Sequence, residues 1–184
     1  MFASLPTELT VNGKEYEIRT DFRDILNIVV AFEDPDLEDR EKLFICLYGI
    51  YKDFPDMPQE DYAEAYKQAM WFISVGNDDE TKSRRKFMDW EQDEQLIFPA
   101  VNKVAGCETR IQPYIHWWTF MGYFMEVSDG VYSYVLLLRQ KKQKKKLDKE
   151  EQAYWDANKQ ICELKPKLSR EEREAKERLL KMLS

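Results

Sequence analysis

His116 is the single histidine of the chain, so zinc sites built on two histidines are excluded and one candidate general base is left for any cysteine nucleophile. No motif joins it to a cysteine. Cys46, Cys107 and Cys162 lie at least 55 residues apart, without the paired spacing of a Cys-rich metal site. A lone histidine within IHWWTFMGYF reads as a hydrogen-bonded structural residue. The six glycines are scattered singly, so no glycine-rich loop is available to cradle a phosphate. Asp89-Trp90-Glu91-Gln92-Asp93 resembles the start of a calcium loop, but the sixth position is Glu94 instead of Gly and the twelfth is Ala100 instead of Glu. No catalytic residue, metal ligand or cofactor is therefore assigned.

Two constellations remain. Helical spacing puts Asp89 and Asp93 on one face beside Trp90. They are either an acidic helix start facing the positive end of the dipole, or a buried or interface pair with Arg110 or Arg85. The Trp117-Trp118 pair, with Tyr114, Phe120, Tyr123 and Phe124, reads as core before it reads as an exposed aromatic platform. A basic run, Arg139, Lys141, Lys142, Lys144, Lys145 and Lys146, is either a solvated connector or a patch that attracts an acidic partner, nucleic acid or a second copy.

Charge separates the chain into two parts. Residues 139–184 carry 15 Lys and Arg against 9 Asp and Glu, whereas the preceding 138 residues carry 13 against 26. An acidic body (1–138) with a basic and then mixed-charge extension (139–184) is the expected organisation. The acidic body repels phosphates and anionic lipid, which disfavours a nucleic-acid-coating role. MFASLPTELT lacks the basic start and apolar run of a signal peptide, and no stretch reaches 18 uncharged apolar residues, so no membrane association is expected. Three unpaired cysteines fit a thiol-reducing compartment.

Positioning these residues falls mostly to helices. Asn12-Gly13 predicts a type I′ hairpin within residues 5–19, with Val11 opposite Lys14 and Leu9 opposite Tyr16, so that Leu9, Val11, Tyr16 and Ile18 share one face. Thr20 is placed to cap a central helix that Pro35 ends. A second helix, about Leu37 to Tyr51, is expected to bury Phe44, Leu47, Tyr48 and Tyr51, with Cys46 as a small core residue. A third, running to Val75, carries Tyr62, Tyr66, Ala69, Met70 and Ile73 in one stripe, with Gly76 as its C-cap. Asn77 to Lys86 reads as an exposed loop. A fourth helix runs from near Arg85 to Gly106 with a kink or break at Pro99, and a fifth opens at Pro113. Val131 to Leu138 is read as helix over strand. In the extension, Leu147, Tyr154, Ile161 and Leu168 form a thin seven-residue seam broken by Pro166, and Ser169 with Glu172 forms a capping box for a last helix. The fold class is mainly α: an N-terminal β-hairpin packed on a multi-helix bundle, with a charged helical C-terminal extension.

VNGKEYEIRTDFRDIL, DWEQDEQLIFPAVNKVAG, IHWWTFMGYFMEV and LRQKKQKKKLDKEE together resemble the bacteriophage "gene product fifteen" family of phages and prophages of Gram-positive bacteria. The likeness runs from the hairpin to about Asn158, and Asp89, Trp90, Asp93, His116, Trp117 and Trp118 match its most recognisable positions. The resemblance implies a tail-region protein, non-enzymatic and acting in the host cytoplasm, similar to tail assembly chaperones. It implies the tape measure protein as partner, with the tail tube protein and self-association as further possibilities. A structural component of the virion tail or connector is the alternative, and a nucleic-acid-binding regulator using Lys141 to Lys146 the third reading.

Overall fold

The computed structural model describes residues 4–77 and 87–183. Two strands, β1 (Glu8–Val11) and β2 (Lys14–Glu17), precede nine α-helices among the described residues. These are α1 (Phe22–Phe32), α2 (Asp39–Ile50), α3 (Tyr62–Ile73), α4 (Glu94–Ala105), α5 (Trp117–Met125), α6 (Val131–Gln143), α7 (Lys149–Ala157), α8 (Lys159–Cys162) and α9 (Arg170–Leu183). The expected mainly helical class with an N-terminal hairpin and a charged C-terminal helix is what the chain adopts. It forms two compact units, one of Met1–Ile73 with Lys165–Ser184 and one of Ser74–Leu164. Helix α6 carries the chain across residue 138 without interruption.

In the first unit the hairpin forms in the expected register, Leu9 opposite Tyr16 and Val11 opposite Lys14, with positive φ at Asn12 and Gly13 closing the turn. Its apolar face, Leu9, Val11, Tyr16 and Ile18, is buried, and β1 packs on α3. The Asp61 carboxylate ties the turn to the start of α3, accepting from Asn12 Nδ2 at 2.7 Å and from the Tyr16 hydroxyl at 3.2 Å. Helix α1 is capped by Asp21 instead of Thr20: its carboxylate accepts from the Arg23 N–H at 3.0 Å and also faces the positive helix end. The helix ends at Phe32, ahead of Pro35. Helices α1 and α2 approach closely at Gly49, where a Cβ would stand 2.7 Å from Ile28 Cδ1.

Helix α2 buries Cys46, Leu47 and Ile50, and Tyr51 just beyond it is fully buried, but Phe44 and Tyr48 are 55% and 57% exposed. The expectation that both are core is corrected. Residues 43–50 are apolar around the whole helix circumference, so the face that α1 and α3 cover decides which of them is core. Helix α3 likewise buries Ala65, Ala69 and Phe72 and leaves Tyr62, Tyr66, Met70 and Ile73 half-buried. Helix α9 opens with the expected box, the Glu172 N–H donating to Ser169 Oγ and the Ser169 N–H to Glu172 Oε2. Asp36 anchors its start, accepting from the Arg170 N–H at 2.7 Å and from Arg173 Nη2 at 2.9 Å.

In the second unit α4 begins at Glu94, so Trp90 precedes it. The expected start near Arg85 and the loop from residue 78 to 86 lie outside the described residues. Pro99 does not break α4: Pro99 and Gln95 both face solvent, where water can satisfy the carbonyl that lost its donor. Gly106 caps its C-terminus at φ 71°. Helix α5 starts at Trp117, not Pro113, because His116 takes the N-cap position. Val131–Gln143 is helix, as read. The seven-residue seam is not one helix: Asn158 separates α7 from α8, and Leu147, Tyr154 and Ile161 pack on a small core of Val135, Leu138, Trp155 and Cys162.

Candidate functional site

Two of the predicted site residues of the second unit, Asp93 and Arg139, meet in a buried ion pair. Arg139 and Asp93 are 6% and 2% exposed and form a bidentate pair, Nη1 to Oδ2 at 2.7 Å and Nη2 to Oδ1 at 2.8 Å. Arg139 Nε donates to the Cys162 carbonyl at 2.8 Å, Nη1 to that of Phe87 at 2.9 Å and Nη2 to that of Ile161 at 2.8 Å. All five guanidinium N–H groups are thereby engaged. One side chain on α6 thus holds the segment leading into α4 and the end of α8.

Asp89 shapes that segment. Its Oδ1 accepts the N–H groups of Glu91 and Gln92, each at 3.0 Å, and its own N–H donates to Asp93 Oδ2 at 3.0 Å. The two aspartates act together; Arg110 pairs with Glu108 at 2.8 Å instead of with them, and the alternative partner Arg85 lies outside the described residues. Trp90 packs on Phe124 of α5, with ring centroids 4.8 Å apart. His116 Nδ1 accepts from the Trp118 N–H at 3.0 Å. Trp117 is buried and stacks on Phe120, Trp118 is half-buried and Tyr114 is exposed. Asp89, Trp90, Asp93, His116 and Trp117 therefore shape and fill the unit. Among the described residues, every buried side-chain nitrogen and oxygen has a hydrogen-bond partner, and no group of three His, Cys, Asp or Glu side chains could hold a metal ion.

The basic run divides. Arg139 leaves the surface patch, because its charge is spent inside the unit. Lys141 pairs with the largely buried Glu151, and Lys142 Nζ reaches Gln152 at 2.9 Å and lies 5.2 Å from the Trp155 ring centre. Lys144, Lys145 and Lys146 are exposed beyond the end of α6. The role of Arg139 had a signal in the sequence: it stands four residues after Val135 and seven after Tyr132, on the buried stripe of α6. Glu151 had one too, as the third residue after the Asp148 cap.

Exposed apolar side chains lie elsewhere. In the first unit, Phe44 and Tyr48 stack with centroids 6.3 Å apart at 9°, and the Arg19 guanidinium lies 6.0 Å from the Tyr48 ring. Leu179, Leu180 and Met182 are exposed on α9. Thiol chemistry also divides by burial. Cys46 is buried and its thiol is pushed up to about 12, burial raises that of Cys162 as well, and Cys107 is exposed. Native protein is expected to take up one equivalent of a maleimide rapidly, at Cys107, and three after unfolding. Mass spectrometry of the labelled peptides checks this.

Compared with known proteins, residues 1–164 match the family model described as bacteriophage Gp15 protein. No curated protein and no solved structure matches the chain. Among the described residues, no helix is long and apolar enough to cross a membrane.

Proposed function

The chain belongs to the bacteriophage Gp15 protein family, and on that premise we propose that it is a non-catalytic tail assembly chaperone. In this reading it holds the long, helical tape measure protein before the tail tube polymerises around it. The observation that carries the reading is the exposed Phe44–Tyr48 ridge on an acidic unit. Residues 1–73 and 165–184 carry 14 Lys and Arg against 20 Asp and Glu, and that charge keeps a protein with open apolar surface soluble. Two stacked aromatics one helical turn apart can take the apolar stripe of a client helix, the helix-in-groove mode. A ridge this small gives modest affinity, which suits a carrier that must release its client.

A chaperone leaves the particle. Quantitative mass spectrometry of purified virions of the source phage is expected to find this chain absent or far below one copy per tube subunit. Stoichiometric retention would instead make it a structural part of the tail or connector.

A further inference from the structure

The two edges of the hairpin differ. The outer edge of β2 is occupied: the Lys52 N–H donates to the Glu17 carbonyl at 3.1 Å, and the Arg19 N–H just beyond the strand donates to Ile50 at 2.7 Å. The outer edge of β1 is open. In this register Leu9–Tyr16 and Val11–Lys14 are the hydrogen-bonded pairs, and the ladder continues with the Ile18 N–H donating to the Thr7 carbonyl at 3.0 Å. Glu8 and Thr10 therefore direct their N–H and C=O groups away from β2. Among the described residues, no backbone hydrogen bond engages those four groups. An edge left open offers a template for another strand.

Beside that edge lies a cavity of about 520 Å³, within the size range of ligand-binding clefts. One wall is β1 with Pro6, Glu8 and Thr10, and the other is α3 with Glu64, Gln68 and Trp71. A strand edge facing a helix wall across a cleft is the arrangement in which an extended peptide gains main-chain hydrogen bonds on one side and side-chain pockets on the other.

We propose that this groove binds an extended segment of another polypeptide by adding it as a third strand to β1. The occupant carries a lysine or arginine beside Glu8 and, at the alternate position, an apolar side chain facing Trp71. The charge preference follows from the hairpin's outward face. Glu8 stands directly opposite Glu17, and Glu15 lies opposite Thr10 on the same face. Glu17 has Lys52 at 2.9 Å, whereas Glu8 has no ion-pair partner among the described residues. A cation on the incoming strand relieves the like-charge pair. Inside the cleft, Glu64 adds a carboxylate next to Gln68, its amide hydrogen-bonded to it at 2.7 Å. This inference does not rest on the chaperone reading, which uses the Phe44–Tyr48 ridge.

The probe is a fluorescent six-residue peptide alternating Lys and Val, compared with one alternating Glu and Val. Anisotropy is expected to give binding of the Lys peptide at least about tenfold tighter than the Glu peptide, with E8K erasing that preference. Amide exchange at Glu8 and Thr10 is expected to slow when the Lys peptide is added. Thr10→Pro removes one outward N–H without touching the β1–β2 ladder, and is expected to lose binding at least about tenfold. The proposal is overturned if the peptide leaves exchange at Glu8 and Thr10 unchanged, a readout on the wild-type chain that stands even if the proline variant misfolds. It is also overturned if a folded T10P chain binds the Lys peptide as the wild type does, which would mean diffuse attraction to an acidic surface. A concentration-dependent dimer abolished by T10P would assign the edge to a second copy instead.

Discussion

Replacing Arg139 with methionine is expected to destabilise the unit formed by residues 74–164 by about 3–5 kcal/mol, the range for removing one member of a buried ion pair. Methionine roughly matches the bulk of the arginine stem, so the loss comes from what the guanidinium leaves behind. Asp93 remains as a buried carboxylate without its counter-charge, and the carbonyls of Phe87, Ile161 and Cys162 lose a donor each. Lysine at the same position restores the charge but offers three donors from a single point, so it is expected to recover only part of the loss. Replacing the pair together, Arg139→Met with Asp93→Leu, removes the stranded charge and is expected to be less damaging than Arg139→Met alone. Urea unfolding followed by tryptophan fluorescence reads this unit preferentially, since Trp90, Trp117, Trp118 and Trp155 all lie in it and Trp71 alone does not. A change under about 0.5 kcal/mol for Arg139→Met, the scatter of ordinary surface substitutions, would remove the clamp from the account.

The other large effect is expected at Tyr51. Its ring is fully buried and meets Tyr16 edge-on at 5.9 Å, residue 51 bridges to Ile18 beyond the hairpin, and its hydroxyl donates to the Ala65 carbonyl on α3 at 2.8 Å. One side chain joins the hairpin, α2 and α3. Tyr51→Ala is expected to cost the first unit about 3–5 kcal/mol, as for other core aromatic truncations. Tyr51→Phe keeps the ring and loses one hydrogen bond, about 1 kcal/mol. Amide exchange across β1, β2 and α3 measures both. The same residue gives a pH dependence. Burial, with the nearby Cys46 thiol and Glu64 carboxylate adding to it, raises the Tyr51 hydroxyl above its ordinary value near 10. The folded state therefore holds its proton where the unfolded chain releases it, so stability is intact below about pH 10 and falls as pH rises beyond that. Tyr51→Phe is expected to flatten that alkaline fall in the first unit. An equal fall in the phenylalanine variant would assign it to other groups.

Burial of Tyr51 was legible in the sequence, whereas the partner of Arg139 was not. The hairpin was legible to its register because Asn12-Gly13 admits few turns and period-two alternation then assigns each side chain to a face. The α9 capping box and the glycine stop of α4 were legible for the same reason, being local chemistry read over three or four residues. The buried face of α2 was not, since LFICLYGI is apolar on all sides and only the placement of α1 and α3 exposes Phe44 and Tyr48. The Asp93–Arg139 pair joins residues 46 apart in sequence, and the charge of Arg139 was counted with the lysines that follow it. Pairing across that distance leaves no local pattern, although the helical stripe through Tyr132 and Val135 already placed Arg139 inward. Of the proposed client surface nothing was legible, because it consists of residues that patterning assigned to the core.

The claim that this chain is a chaperone for the tape measure protein is tested most directly by co-expressing the two proteins of the source phage and measuring the tape measure protein in the soluble fraction. The wild-type chain is expected to keep it soluble and to co-purify with it. Phe44→Ser with Tyr48→Ser, both on side chains already more than half exposed, is expected to fold normally and lose that protection. A tape measure protein that precipitates equally with and without the wild-type chain would contradict it.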